Sequence, residues 1–335
     1  MKTRTSLLVT GVWLFLTACA EPTDYAEDEQ EEVESLDAQG RQESPILQHQ
    51  APGVVQGNRR HQRVAPGCSL TLDAFPAAIG KGSFGDVAFD AQCRILIADA
   101  PHNRLLRFSA KTSELSVVAE DFPEASSVVA VAYVPSVDAT FVATSVGEGR
   151  GQLFRLDAQG AIKPIVKLDG GHVIRALAVA PATWEPFGGQ LIMVQDGAVY
   201  AVHPGDDNVT EIAQVSEKLT DLSFSQAGEL FVADYAGGAV QLVHPYGEFK
   251  PVAEGLRGVD GIVADATGAF IYASEADAQI VSRLETATGS RASVTFLGLE
   301  AGPGTTGLLM DRSGAVIVSA IKDEARVMSV ILPPH

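Results

Sequence analysis

A chain of 335 residues with 42 Asp and Glu against 24 Lys and Arg carries a formal net charge of −18. That length is ample for a buried core in one large domain or two ordinary ones, and 46% hydrophobic with 20% charged residues is a globular composition. The acidity excludes nucleic acid as the main partner, because binding phosphates needs a basic surface.

Lys2 and Arg4 precede an apolar run over residues 7–16, LLVTGVWLFL, which is too short to span a bilayer and is followed by small residues. This is the pattern of a secretory signal, which takes no part in the fold. The junction Leu16-Thr17-Ala18-Cys19 resembles the bacterial lipobox. The resemblance implies a signal peptide over 1–18, cleavage before Cys19, acylation of that cysteine (palmitate among the chains) and stable anchoring to the cell envelope. Ala20 rather than Asp after the cysteine implies the outer membrane, on its periplasmic side or at the surface. No other segment is long and apolar enough for a transmembrane helix. Residues 21–50 hold ten acids against Arg41, and the run EDEQEEVE repels itself and has nothing to bury. Residues 19–67 are therefore expected to form a disordered acidic tether and linker, with Arg59, Arg60 and Arg63 near its end.

From residue 68 the chain repeats. Apolar runs of one kind begin at Val87, Val131, Leu177, Leu222, Ile262 and Leu308, at spacings of 44, 46, 45, 40 and 46. Each is followed by a turn and a second strand, such as RILIAD, ELFVAD or AFIYAS, and then by a third, such as RLLRF or AVQLVHP. Five units close with a fourth strand, and the sixth runs into the chain end. Residues 69–75, SLTLDAF, carry the missing pattern. Residues 68–335 are thus predicted to be all-β, a six-bladed β-propeller of four-stranded blades whose last blade is closed by an N-terminal strand. Closure removes the exposed edge of an open array.

The stretches VDGIVADATGAFIYASEADAQIV at 259–281, TDLSFSQAGELFVADYAGGAVQLV at 220–243 and GDVAFDAQCRILIADAPHNRLLRF at 85–108 resemble the NHL repeat and SMP-30/gluconolactonase-like group of six-bladed propellers. The resemblance covers roughly 69–333 and is specific for architecture more than for activity. In a propeller of this type Cys68 and Cys93 both lie at the bottom face beside the closing seam. An oxidising compartment then favours a disulfide between them over two buried thiols. The tether would enter at the bottom, leaving the top face directed away from the membrane.

Loops entering the inner strands, and loops between second and third strands, form the top. They collect Asp86, Asp99, His102, Asn103, Glu124, Glu148, His172, Arg175, Asp196, Asp221, Asp234, Tyr235, Arg257, Asp260, Glu275 and Asp277. Acids converging on a channel raise one another's pKa unless a cation neutralises them. Calcium is the natural cofactor to expect if there is one, held by Asp260, Asp221, Asp99, Asp234 and Glu275. The alternative is ordinary loop acids bonded to local backbone. His102, Asn103, His172, Arg175 and Tyr235 are candidate ligand-binding side chains of the same face.

The resemblance also implies a metal-dependent lactone hydrolase as one reading, with Asp260 of Val259-Asp260-Gly261 at the family's ligand position. The equivalents Gly85, Val129, Arg175, Thr220 and Thr306 are poor ligands. The favoured reading is therefore a monomeric envelope lipoprotein that displays the propeller as a binding module for an envelope protein, a peptide or a glycan. In the 181–189 turn, Trp184 and Phe187 form either an exposed contact or a plug.

Overall fold

The computed structural model describes residues 68–331, apart from 76, 81–83, 124, 147–149, 168–171, 207, 295–306 and 323–324. The signal, Cys19 and the tether lie outside the described residues, as do Glu124 and Glu148.

Strand β1 (Ala77–Gly80) comes first, and antiparallel four-stranded sheets follow in chain order. They comprise β2 (Phe84–Phe89), β3 (Ile95–Asp99), β4 (Arg104–Ser109) and β5 (Glu114–Glu120); then β6 (Ala125–Val134), β7 (Ala139–Val146), β8 (Arg150–Leu156) and β9 (Ile162–Lys167). Next are β10 (Ile174–Val179), β11 (Leu191–Gln195), β12 (Ala198–Val202) and β13 (Val209–Gln214). Then come β14 (Leu219–Phe224), β15 (Leu230–Asp234), β16 (Ala239–Val243) and β17 (Phe249–Ala253). The fifth sheet is β18 (Val259–Ala264), β19 (Phe270–Glu275), β20 (Ile280–Glu285) and β21 (Arg291–Val294). Finally β22 (Leu308–Met310), β23 (Val316–Lys322) and β24 (Ala325–Ile331) are joined by β1, with Ala77 opposite Met328. Among the described residues the only helical turns are 3-10, at Leu72–Ala74 and Ala100–His102. The fold is an all-β propeller of four-stranded blades.

The physical cause is legible strand by strand. Second strands such as β3, β11 and β15 are buried along their whole length, which is why they are continuous apolar runs. Outer strands meet water and lose that pattern: the first four residues of β5 are exposed. Pro164 and Pro251 both fall in outer strands, β9 and β17, where a missing N–H costs no second ladder. The core lies between blades. Phe231 and Leu242 pack with Val259, Ile262 and Ile271 of the next blade, and Ile317 of β23 packs with Val87, Ile97 and Phe108 of the first. The turn between β16 and β17 leans on the preceding blade at Gly247: φ is +90°, and a Cβ there would stand 2.7 Å from the Ile212 carbonyl oxygen. Glycine satisfies both demands.

One expectation is corrected and two are decided. The strand that pairs with the last blade is β1 at Ala77–Gly80, not residues 69–75. That stretch instead anchors the chain beneath the seam. The Leu70 amide donates to Asp311 Oδ2 at 3.0 Å, the Cys68 carbonyl accepts from the Arg312 amide at 2.7 Å, and Phe75 meets Phe108 edge-on at 5.9 Å between centroids. Cys68 and Cys93 are disulfide-bonded, their Cα atoms 5.2 Å apart across a separation of 25 residues. Trp184 is a plug: it is 4% exposed and packs on Phe187 and Phe224.

Candidate functional site

The top-face side chains separate by their phase within the repeat. Asp99, Asp234 and Glu275 each end a second strand and are almost wholly buried. Asp99 accepts from Arg104 Nε at 2.7 Å and pairs with His102 Nδ1 at 2.9 Å. Asp234 accepts from the Gly237 amide at 2.8 Å and from Gln241 Nε2 at 3.4 Å. Glu275 accepts from the Arg257 amide at 2.9 Å and from Ser282 Oγ, and pairs with Arg291 at 2.8 Å. Each therefore serves its own blade or its adjoining loop. Gln195 ends β11 in the same phase and, where the acids accept, donates its amide to the His172 carbonyl at 2.9 Å.

Asp86 and Asp221 occupy a second phase, on inner strands β2 and β14. Their roles are identical. Asp86 accepts the amides of Val87 (2.8 Å) and of Val131 on β6 (3.1 Å), whereas Asp221 accepts those of Leu222 (2.8 Å) and of Ile262 on β18 (2.7 Å). Each carboxyl thus fastens one inner strand to the next blade's. Burial pushes the Asp86 pKa up to about 7 against the lowering effect of its two N–H donors. Asp221 is raised well above the carboxylate range by burial first and then by the charge of Asp86, with Asp260 adding to it. The two acids therefore feel each other, and a carboxyl near neutrality can hold a proton at pH 7.

A third phase lies one residue earlier, at Arg175 and Asp260. In both strands the ladder register slips at this point, between Ile174 and Ala176 and between Val259 and Gly261. A bulge residue is freed from the pleat and its side chain is re-aimed. Burial raises the Asp260 pKa while Lys218 and Arg175 pull it down. Charges from β10 and from the approach to β14 thus both act on the Asp260 carboxyl of β18. Lys218 also caps the Tyr235 ring, its Nζ 3.7 Å from the centroid, and the Tyr235 hydroxyl reaches Asp277 at 3.5 Å. Arg175 is exposed.

The five acids expected to share a cation are thus not brought together. Asp221 and Asp260 adjoin, in company with Asp86, while Asp99, Asp234 and Glu275 are spent inside separate blades. Among the described residues no three His, Cys, Asp or Glu side chains are placed to hold one metal ion. His102 is exposed and oriented by Asp99, and Asn103 donates to the Phe122 carbonyl at 3.3 Å. His172 is exposed and paired with Asp196 at 3.0 Å. Lys218 went unselected in the sequence, where nothing marks it apart from its position just before an inner strand.

No family model matches the chain, and no curated protein does. Solved structures do match. A gluconolactonase from Xanthomonas campestris is 14% identical, with 80% of this chain and 94% of that one covered and a TM-score of 0.58. An auxiliary nutrient binding protein from Bacteroides thetaiotaomicron is 11% identical over 75% of this chain and 69% of its own, with a TM-score of 0.61. A PQQ-bound aldose sugar dehydrogenase from Streptomyces coelicolor is 13% identical over 80% and 98%, also at 0.61. At such identities the likeness is one of fold alone, the all-β propeller.

Proposed function

We propose that this chain is a bacterial lipoprotein, acylated at Cys19 and held at the outer membrane by residues 19–67. It displays a monomeric six-bladed propeller, closed by β1, as a binding module for a protein, peptide or glycan. One observation carries this reading: Arg175 and Asp260 sit at matching register slips of their inner strands, the charges of Arg175 and Lys218 both bear on Asp260, and the acids one position later are already spent on backbone amides. Exposed Arg175 and Lys218, with half-buried Asp260 and the Tyr235 ring beside them, suit recognition of a polar ligand. The channel carboxyls have both oxygens committed to fastening strands, which leaves them poorly placed to bind a metal or activate water. A nutrient-binding protein among the similar folds supports the same direction.

Binding to a glycan array and to an envelope extract, each repeated with Asp260→Ala and with chelator, tests it. Binding that survives chelation and falls at least tenfold with Asp260→Ala is the expected result. The second reading is a calcium-type lactone hydrolase, favoured by the position of Asp260 just before the inner-strand Gly261. Lactone hydrolysis that needs a divalent metal and is lost in Asp260→Ala would replace the first reading with this one. Labelling with a radioactive fatty acid, abolished by Cys19→Ala, tests the anchor separately.

A further inference from the structure

The outer strands of the blades are sheet edges, and their sequences guard them unequally. β9 carries Lys163, Pro164 and Lys167, β17 carries Lys250 and Pro251, and β21 begins with Arg291. Prolines and cations on an edge discourage another strand from pairing with it. β5 has neither, although at 7 residues it is the longest outer strand among those described. Its Leu115 and Val117 are 38% and 48% exposed, the only exposed large aliphatic side chains among the described residues. They stand opposite buried Phe108 and Leu106 of β4. They therefore continue, one strand further out, the apolar face that packs at the closing seam.

Charge selects what can cover this edge. Glu114 and Glu120 end the strand, Asp121 follows, and all three are exposed. Arg104 stands opposite Glu120 but gives its Nε to Asp99. A second copy pairing antiparallel along the same strand sets Glu114 against Glu120 at both ends, and like charges directly opposite are destabilising. A basic strand suits the edge, and the chain supplies one. Residues 59–64, RRHQRV, which lie outside the described residues, hold three arginines and no acid shortly before Cys68. Cys68 is pinned to Cys93 in the β2–β3 turn, at the same end of the blade as the turn into β5. β5 lies two strands outward from β3, about 10 Å, and the five residues from Arg63 to Cys68 reach up to ~17 Å. We propose that residues 59–64 add to β5 as an antiparallel edge strand. Arg63 then stands at the Glu114 end and Arg59 and Arg60 at the Glu120 end, their side-chain stems lying over Leu115 and Val117. The free part of the tether ends at this strand, which fixes the direction in which it leaves the propeller.

Hydrogen exchange followed by mass spectrometry on the full chain tests the proposal. In the wild type the amides of residues 115–118 should exchange slowly. With Arg59→Glu, Arg60→Glu and Arg63→Glu together they should exchange at least tenfold faster, while peptides from β3 keep the wild-type rate and so report an intact blade. Glu114→Arg with Glu120→Arg should have the same effect. Combining all five substitutions should restore the protection, which damage to β5 by either set alone would not allow. Equally fast exchange in the wild type and in the arginine variant would overturn the proposal, as would protection that neither charge reversal alters. Protection that disappears on tenfold dilution would also overturn it, since that assigns the edge to a second copy.

Discussion

Replacing Asp86 by Asn separates the two things its carboxyl does. With a folded pKa of about 7 against an ordinary value of 3.8, the folded chain keeps this proton over a range in which the unfolded chain has lost it. At about 1.36 kcal/mol per unit, the group contributes on the order of 4 kcal/mol at most. The contribution is full below pH ~4 and disappears as the pH rises through about 7. Asp221 and Asp260, also raised, act in the same sense. Wild-type stability should therefore fall between pH 5 and pH 8. Asn cannot titrate, and it leaves the Val87 or Val131 amide without an acceptor, a cost of about 1–3 kcal/mol at every pH. The variant is expected to be less stable at pH 5, with a gap that narrows toward pH 8. Urea denaturation followed by the fluorescence of buried Trp184 measures the gap, with Trp13, the other tryptophan, replaced by Phe in both chains. A gap that stays constant from pH 5 to 8 would refute the reasoning.

Removing the disulfide by Cys68→Ser should cost roughly 3–4 kcal/mol, from the chain-entropy relation for a 25-residue separation. Thiol counting in the denatured wild-type chain checks the bridge, and free Cys68 and Cys93 would disprove it. Gly247→Ala combines a positive φ with a Cβ 2.7 Å from the Ile212 oxygen. It should destabilise by more than the ~1 kcal/mol expected of conformational strain alone. An urea midpoint within error of wild type would show that the turn does not lean on β13. Trp184→Ala should cost about 3–5 kcal/mol, as for a buried aromatic. A loss below about 1 kcal/mol would return Trp184 to the surface.

Spacing and alternation were enough to read the propeller, because each blade states the same pattern afresh and errors in one are corrected by the others. The part that went wrong is the part stated once. Residues 69–75 alternate as a strand does, but Leu70, Ala74 and Phe75 use that apolar content to pack beneath the first blade. What holds them is the turn at Asp311 and Arg312, 241 residues from Leu70 along the chain. Local pattern carries no information about so distant a partner, and a Leu72–Ala74 turn of 3-10 helix suffices to shift the pairing to β1.

The site was half legible for a related reason. Residue type alone placed every top-face acid in one group, yet the phase of each acid within the repeat divides them. Where a second strand ends, Asp99, Asp234 and Glu275 alternate with Gln195, and the amide does the same work as the acids, since it too fastens a neighbouring loop. A position that takes either amide or acid for that purpose has no need of charge, so charge there is no sign of a cation. On the inner strands, Asp86 and Asp221 are matched in other blades by Ala130, Ala176, Gly261 and Gly307, so the fastening is local and dispensable to the repeat. Only the bulge position, Arg175 and Asp260, places opposite charges where the backbone asks for neither. A charge the fold does not use is the better mark of a surface meant for a partner, and it is visible only once strand register is known.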